Sequence, residues 1–123
     1  MLDYTKAQNG RTSAVLTTGE VAGTALSLAQ CADYRVTVDL SFTIGSLTNV
    51  IVRFYASMDG TTYDPINING TNMTETLTAS SERCYVVPSL AGWKFFRASA
   101  QGTGTVTNSL CEYKYRWAKR GTY

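Results

Sequence analysis

From residue 34 to residue 44, Tyr34, Val36, Val38, Leu40, Phe42 and Ile44 alternate without a break with Arg35, Thr37, Asp39, Ser41 and Thr43. Period two puts the apolar set on one face of a sheet, whereas a helix would scatter it around its circumference. The segment is therefore a half-buried strand. Residues 50–57 repeat the pattern, with Val50, Val52, Phe54 and Ala56 opposed to Ile51, Arg53, Tyr55 and Ser57. A turn at residues 45–49 separates the two strands, which are expected to pair antiparallel. Asp59-Gly60 supplies the next turn and residues 63–66 the return strand, with Pro65 favouring an edge or a strand end.

Further strands are expected at 13–17, 25–30, 75–79, 83–87, 93–100 and 105–117, with an exposed Asn-rich loop at 67–74. Gly102 and Gly104 are expected to break the chain between the last two strands. In the final strand Cys111, Tyr113, Tyr115 and Trp117 share one face. About eight strands at roughly ten-residue spacing, without a helical period, imply an all-β, two-layer antiparallel β-sandwich, jelly-roll or immunoglobulin-like. The expected division is an N-terminal arm at 1–10, the sandwich at 11–117 and a C-terminal tail at 118–123.

Composition narrows the chemistry. The chain has 123 residues, 44% of them hydrophobic and 16% charged, which is enough for one core without a metal or disulfide staple. It contains no His, so Ser-His-Asp and Cys-His catalysis and His-ligated zinc are excluded within one chain. A net charge of +2 is too small for a broad nucleic-acid footprint. Cys31, Cys84 and Cys111 lack paired zinc-knuckle spacing and read as buried free thiols, with one disulfide left open. Residues 1–6 show no basic region followed by an apolar stretch, and synthesis in a cytoplasm without membrane insertion is expected.

Four groups of residues are candidate sites. Asp59 and Asp64 with Asn67 and Asn69 offer oxygen ligands, but their spacing matches no calcium loop, and turn formation explains them. Asn69-Gly70-Thr71 and Asn72-Met73-Thr74 match the glycosylation acceptor pattern, which an Asn- and Thr-rich loop produces by composition. Tyr55, Tyr63, Trp93, Tyr113, Tyr115 and Trp117 suit either a stacking platform or core filling. The tail interleaves Lys114, Arg116, Lys119 and Arg120 with Tyr113, Tyr115 and Trp117 and reaches Tyr123, a mixture that fits a protein interface.

Two stretches carry a resemblance: Val-Arg-Phe-Tyr-Ala-Ser-Met-Asp-Gly-Thr-Thr-Tyr at 52–63, and Ala-Gly-Trp-Lys-Phe-Phe-Arg-Ala-Ser-Ala-Gln-Gly-Thr-Gly-Thr-Val-Thr at 91–107. Together they resemble small β-sandwich structural proteins of tailed bacteriophages. The resemblance implies a capsid decoration or cement protein, a head fibre or a tail component, and carries over no catalytic residue. A one-domain chain without a coiled-coil shaft or repeat suits the head surface, as a decoration protein of the virion that stabilises the shell, and no metal or cofactor is expected. Its implied partners are the major capsid protein and neighbouring copies of itself, with a trimer suggested by local shell symmetry. Within that reading Leu2, Tyr4, Lys6, Tyr115, Arg116, Trp117, Lys119, Arg120 and Tyr123 are the expected contacts. The alternative is a carbohydrate-binding module or a tail- or head-fibre component that presents Asp59, Tyr63, Asn67, Asn69 and Asn72 to a host glycan. An enzyme ranks last, because no two acids are marked as a catalytic pair.

Overall fold

The structure, a computed structural model, describes residues 6–31, 35–45, 47–88, 90–104 and 109–118. Its strands in chain order are β1 (Lys6–Val15), β2 (Val21–Ala22), β3 (Leu26–Ser27), β4 (Val36–Thr43), β5 (Leu47–Ser57), β6 (Tyr63–Pro65), β7 (Asn67–Ile68), β8 (Thr71–Asn72), β9 (Thr74–Leu77), β10 (Ser81–Val87), β11 (Phe95–Gly104) and β12 (Leu110–Trp117). A single 3-10 turn at Leu28–Gln30 is the one helical element among the described residues.

One sheet has the order β1-β12-β4-β10, and the other β2-β11-β5-β6. In the second sheet β3 also pairs with β11, and β9 with β5. Taking β2 with β3 as one interrupted strand, and β6 with β9 as another, gives eight strands in the orders 1-8-3-6 and 2-7-4-5. Every pairing is antiparallel, and the pairs nest: β1 with β12, β2 and β3 with β11, β4 with β10, β5 with β6 and β9. This is the jelly-roll order, an antiparallel ribbon rolled so that alternate segments fall in opposite sheets.

The rolling corrects one expectation. β4 and β5 do not pair with each other; β4 lies between β12 and β10, and β5 between β11 and β6. Alternation fixes which face of a strand is buried but not which strand lies beside it. The short link after Thr43 carries the chain across the core, and Gly45 N–H donates there to Ser109 Oγ at 2.8 Å.

Other boundaries also shift. β1 begins at Lys6, so residues 6–10 of the expected arm are a sheet strand paired with β12. Lys6, Gln8 and Asn9 show no alternation because this strand lies at the edge of its sheet. The expected strand at 25–30 shortens to β3 and then turns. Gly102 does not break β11, which pairs through it with Val50. The expected loop at 67–74 is a small hairpin, β7 with β8, closed by Asn69 and Gly70 at φ 53° and 82°. Asn-Gly is the dipeptide that a two-residue hairpin turn of this hand prefers. Residues 105–108 and 119–123 lie outside the described residues, while Ala118, assigned to the tail, is buried.

The core lies between the two sheets. From the first come Val36, Val38, Leu40 and Phe42 with Cys111, Tyr113, Tyr115 and Trp117; from the second come Val50, Val52, Phe54 and Ala56 with Phe96, Ala98 and Ala100. The alternation read in β4, β5 and β12 is thus realised on the inner faces. An aromatic chain crosses the interior: Tyr85 meets Phe54 edge-on at 5.6 Å, Phe54 stacks on Phe96 at 6.4 Å, and Phe96 meets Tyr115 edge-on at 5.1 Å. Pairs of this geometry add about 0.5–1.5 kcal/mol each beyond area burial.

Two glycines make room for the tyrosines. A Cβ on Gly10 would lie 2.5 Å from Tyr115 Cζ and 2.6 Å from Tyr113 Cδ1; one on Gly23 would lie 2.4 Å from Tyr113 Oη. Close approach of backbone to ring is therefore what these positions require.

Candidate functional site

Because the apolar residues of β5 and β11 point inward, their alternate residues stand on the outer face of the second sheet. Cross-strand register places Arg97 beside Tyr55, and Ser99 beside Arg53. β6 brings Tyr63 opposite Ser57, and β2 brings Ala22 opposite Ser99. Glu20, just before β2, reaches over this face. The result is a cleft of about 330 Å³ lined by Glu20, Ala22, Tyr55, Tyr63, Arg97 and Ser99.

Glu20 is the polar hub. Its carboxylate accepts from Tyr55 Oη and Ser99 Oγ, each at 2.5 Å, and Arg53 Nη1 approaches at 3.5 Å. Arg53 in turn donates to Gln101 Oε1 at 2.7 Å. Partial desolvation works to raise the Glu20 pKa, but hydrogen bonds from Ser99 and Tyr55 and the charges of Arg53 and Arg97 outweigh it and hold the group below its ordinary value. For Tyr55, desolvation first and the bond to Glu20 second push the hydroxyl pKa upward.

Arg97 behaves differently from Arg53. Its guanidinium carbon sits 3.8 Å from the centroid of the Tyr63 ring, a cation-π contact that fixes the group without using its N–H donors. Arg97 Nε and Tyr63 Oη are buried without a hydrogen-bond partner among the described residues. The chemistry on offer is an oriented cation, a hydrogen-bonded carboxylate, hydroxyls and aromatic rings.

The residues expected from sequence distribute unevenly. Tyr115 and Trp117 are not surface contacts: both are core residues on the inner face of β12, at 0% and 5% exposure. Their place in the alternation buries them, and the nearby charges belong to the opposite face. Arg116 is on that outer face, paired with Asp39 at a partly exposed site. Lys6 is exposed and lies opposite Trp117. Leu2, Tyr4, Lys119, Arg120 and Tyr123 lie outside the described residues.

In the alternative set, only Tyr63 joins the cleft. Asp59 accepts from the N–H groups of Thr62 and Thr61 at 2.8 Å each and from Ser57 Oγ at 3.1 Å, and these bonds, in that order, hold its carboxyl below the ordinary range. It closes a turn. Asn67, Asn69 and Asn72 are exposed on the β7–β8 hairpin, where Asn67 pairs across to Asn72. Among the described residues no cluster of three or more acidic or Cys side chains could hold a metal. Of the aromatic platform, Tyr113 joins Tyr115 and Trp117 in the core.

Sequence reading placed Arg53 and Tyr55 on the outer face but did not gather the cleft. Arg97, Ser99 and Gln101 carry the same signal, as the polar half of the β11 alternation. Glu20 carries none, since a loop delivers it. Of the three cysteines Cys31 and Cys111 are buried, but Cys84 is exposed on the outer face of β10, against the expectation of three buried thiols.

Fold and site together define an all-β jelly-roll sandwich with a polar, tyrosine-lined cleft on one outer sheet. Solved structures share that fold. The SPBc2 prophage-derived protein YomS superposes with a TM-score of 0.52 at 13% identity, covering 90% of this chain and 90% of that one. A protein of Bacillus endospore appendages, described as a novel family of disulfide-linked pili, gives a TM-score of 0.52 at 12% identity over 92% of this chain and 88% of that one. No protein family and no curated protein sequence matches the chain.

Proposed function

We propose that the chain is a virion structural protein, and specifically a capsid decoration protein that binds the outside of a phage head and stabilises the shell by protein contacts. The observation that carries this reading is the register of β1 on β12, in which Lys6 lies opposite Trp117. The chain enters and leaves the sandwich side by side. Lys6 and Trp117 thus share one edge of the first sheet, and Leu2, Tyr4, Lys119, Arg120 and Tyr123, in the adjoining sequence, are the contacts this reading assigns. Aromatic and Arg side chains are the residues that dominate such contacts. The fold shared with a prophage protein and an appendage protein supports a structural role. Repetition on a symmetric shell multiplies a modest area per copy. The partners in this reading are the major capsid protein and neighbouring copies, and no catalytic role is assigned.

The test is cosedimentation with phage particles stripped of accessory proteins, comparing the wild-type chain with a Lys119→Ala, Arg120→Ala, Tyr123→Ala variant. Loss of the variant from particles, with its thermal unfolding unchanged, supports the reading. Unchanged occupancy rejects the terminal attachment surface.

A further inference from the structure

We propose that the cleft over β5 and β11 is a binding site for an acidic glycan, with Arg97 receiving the oxyanion of a charged sugar unit. The inference does not depend on the decoration reading and is tested on the isolated chain.

The argument starts from what Arg97 lacks. A guanidinium carries five donors in a rigid fork that matches carboxylate and phosphate oxygens two at a time. Other half-buried Arg side chains have partners within the chain: Arg116 has Asp39, and Arg11 has the carbonyls of Cys111, Ala14 and Val15. The acid available to Arg97 is Glu20, which already accepts from Tyr55, Ser99 and Arg53. Arg97 is instead held by its stack on Tyr63, with Nε unsatisfied. A buried donor without a partner is destabilising, and a bound oxyanion that reaches it removes that penalty. The guanidinium is thus held in place by the ring, with Nε buried and uncommitted at the cleft.

The surroundings select the rest of the ligand. Tyr63 Oη, also unpartnered, lies beside the Arg97 fork. Glu20 and Ser99, which also line the cleft, provide acceptors and a hydroxyl. Such a lining suits a molecule that both donates and accepts hydrogen bonds around a charged group, and the Tyr55 ring offers a surface against which a sugar ring can lie. At about 330 Å³ the cleft is at the small end of ligand sites, the size of one or two sugar units rather than a polymer groove. A nucleic-acid strand fits poorly, because the cleft holds one or two units and the chain adds only a net +2 along a longer backbone.

Calorimetry with the purified chain and four probes tests the proposal: trigalacturonate for a carboxylate, a glycerol-phosphate oligomer for a phosphodiester, maltotriose as the neutral sugar and oligo-dT as a nucleic acid. At least one of the first two is expected to bind, at least tenfold more tightly than maltotriose and oligo-dT, and which of them binds identifies the oxyanion. Arg97→Gln is expected to weaken it at least tenfold. Ala22→Glu, an exposed change that adds a repelling charge to the cleft wall, is expected to do the same if Arg97→Gln fails to fold. Arg83→Gln, on the opposite sheet, is expected to bind as the wild type does. No binding by either charged probe, equal binding of maltotriose, tighter binding of oligo-dT, or wild-type affinity in Ala22→Glu would each overturn the assignment.

Discussion

Tyr113, in one sheet, donates its hydroxyl hydrogen to the carbonyl of Ala98, in the other, at 2.9 Å. Tyr115, two residues on, accepts the Ala98 N–H at 3.1 Å. Both groups of Ala98 point toward the stretch between β2 and β3, where the strand is interrupted; there the Gly23 N–H also donates to the Ala98 carbonyl at 2.8 Å. Two core tyrosines therefore complete a gap in the opposite sheet's ladder. Burial pushes both hydroxyl pKa values well above the ordinary range, so they remain neutral donors and acceptors at any physiological pH.

The two tyrosines differ in what their loss would leave behind. Tyr115→Phe strands the Ala98 N–H inside the core and is expected to cost about 1–3 kcal/mol. Tyr113→Phe leaves the Ala98 carbonyl still bonded to Gly23 and is expected to cost about 0.5–1.5 kcal/mol. Urea unfolding of the two variants checks the order, and an inverted order would contradict this role for the pair.

At Gly10 the neighbouring atoms are ring carbons that cannot retreat without moving the strand. Gly10→Ala is expected to lower stability by about 1–3 kcal/mol through overpacking. Gly19→Ala, where a Cβ meets nothing within 4 Å, serves as the control and is expected to be nearly neutral. Thermal unfolding compares them, and equal midpoints would contradict the close packing of β1 on the tyrosines.

Glu20 gives the cleft a defined pH dependence. Its pKa in the folded chain lies below the ordinary 4.5, so its contribution to stability is complete above that pH and is lost as pH falls through the lower, folded value. The stability difference between the wild type and Glu20→Gln is expected to be constant above about pH 5 and to shrink toward pH 3. A difference unchanged over that range would show that the carboxylate is not held by its partners.

Thiol chemistry separates the two sheet faces. Cys111 is buried on the inner face of β12, where desolvation pushes its pKa to about 11. Cys84 is exposed, and desolvation, with the bond to Asp39 and its charge, also moves its pKa upward. Iodoacetamide on the folded protein is expected to alkylate Cys84 while Cys111 stays protected until denaturant is added. Peptide mass mapping reads the outcome, and comparable labelling of Cys111 would contradict its burial.

Much of this fold is visible in β4, β5 and β12, because a strand with one buried face must alternate, as β4 and β12 do along their length and β5 does from Val50 to Ala56. The partners were not visible. Nested pairing brings Lys6 to Trp117 and Val36 to Val87, and no local pattern encodes contacts at such separations. Asp59-Gly60 is legible as a turn, whereas Asn69-Gly70 closes a hairpin within a segment whose Asn-rich composition reads as a loop. The site suffered most where a side chain's face mattered more than its type. Tyr115 and Trp117 carry the composition of an interface but the parity of the core, and parity decides. Glu20 could be assigned to the cleft only once β2 was seen beside β11.

Imaging of stripped phage particles reconstituted with the purified chain tests the proposed role most directly. Regular copies at each capsomer of the head surface, with the β1–β12 corner facing the shell, are the expected result. Copies confined to a vertex or tail, or an absence of bound protein, would contradict a decoration role.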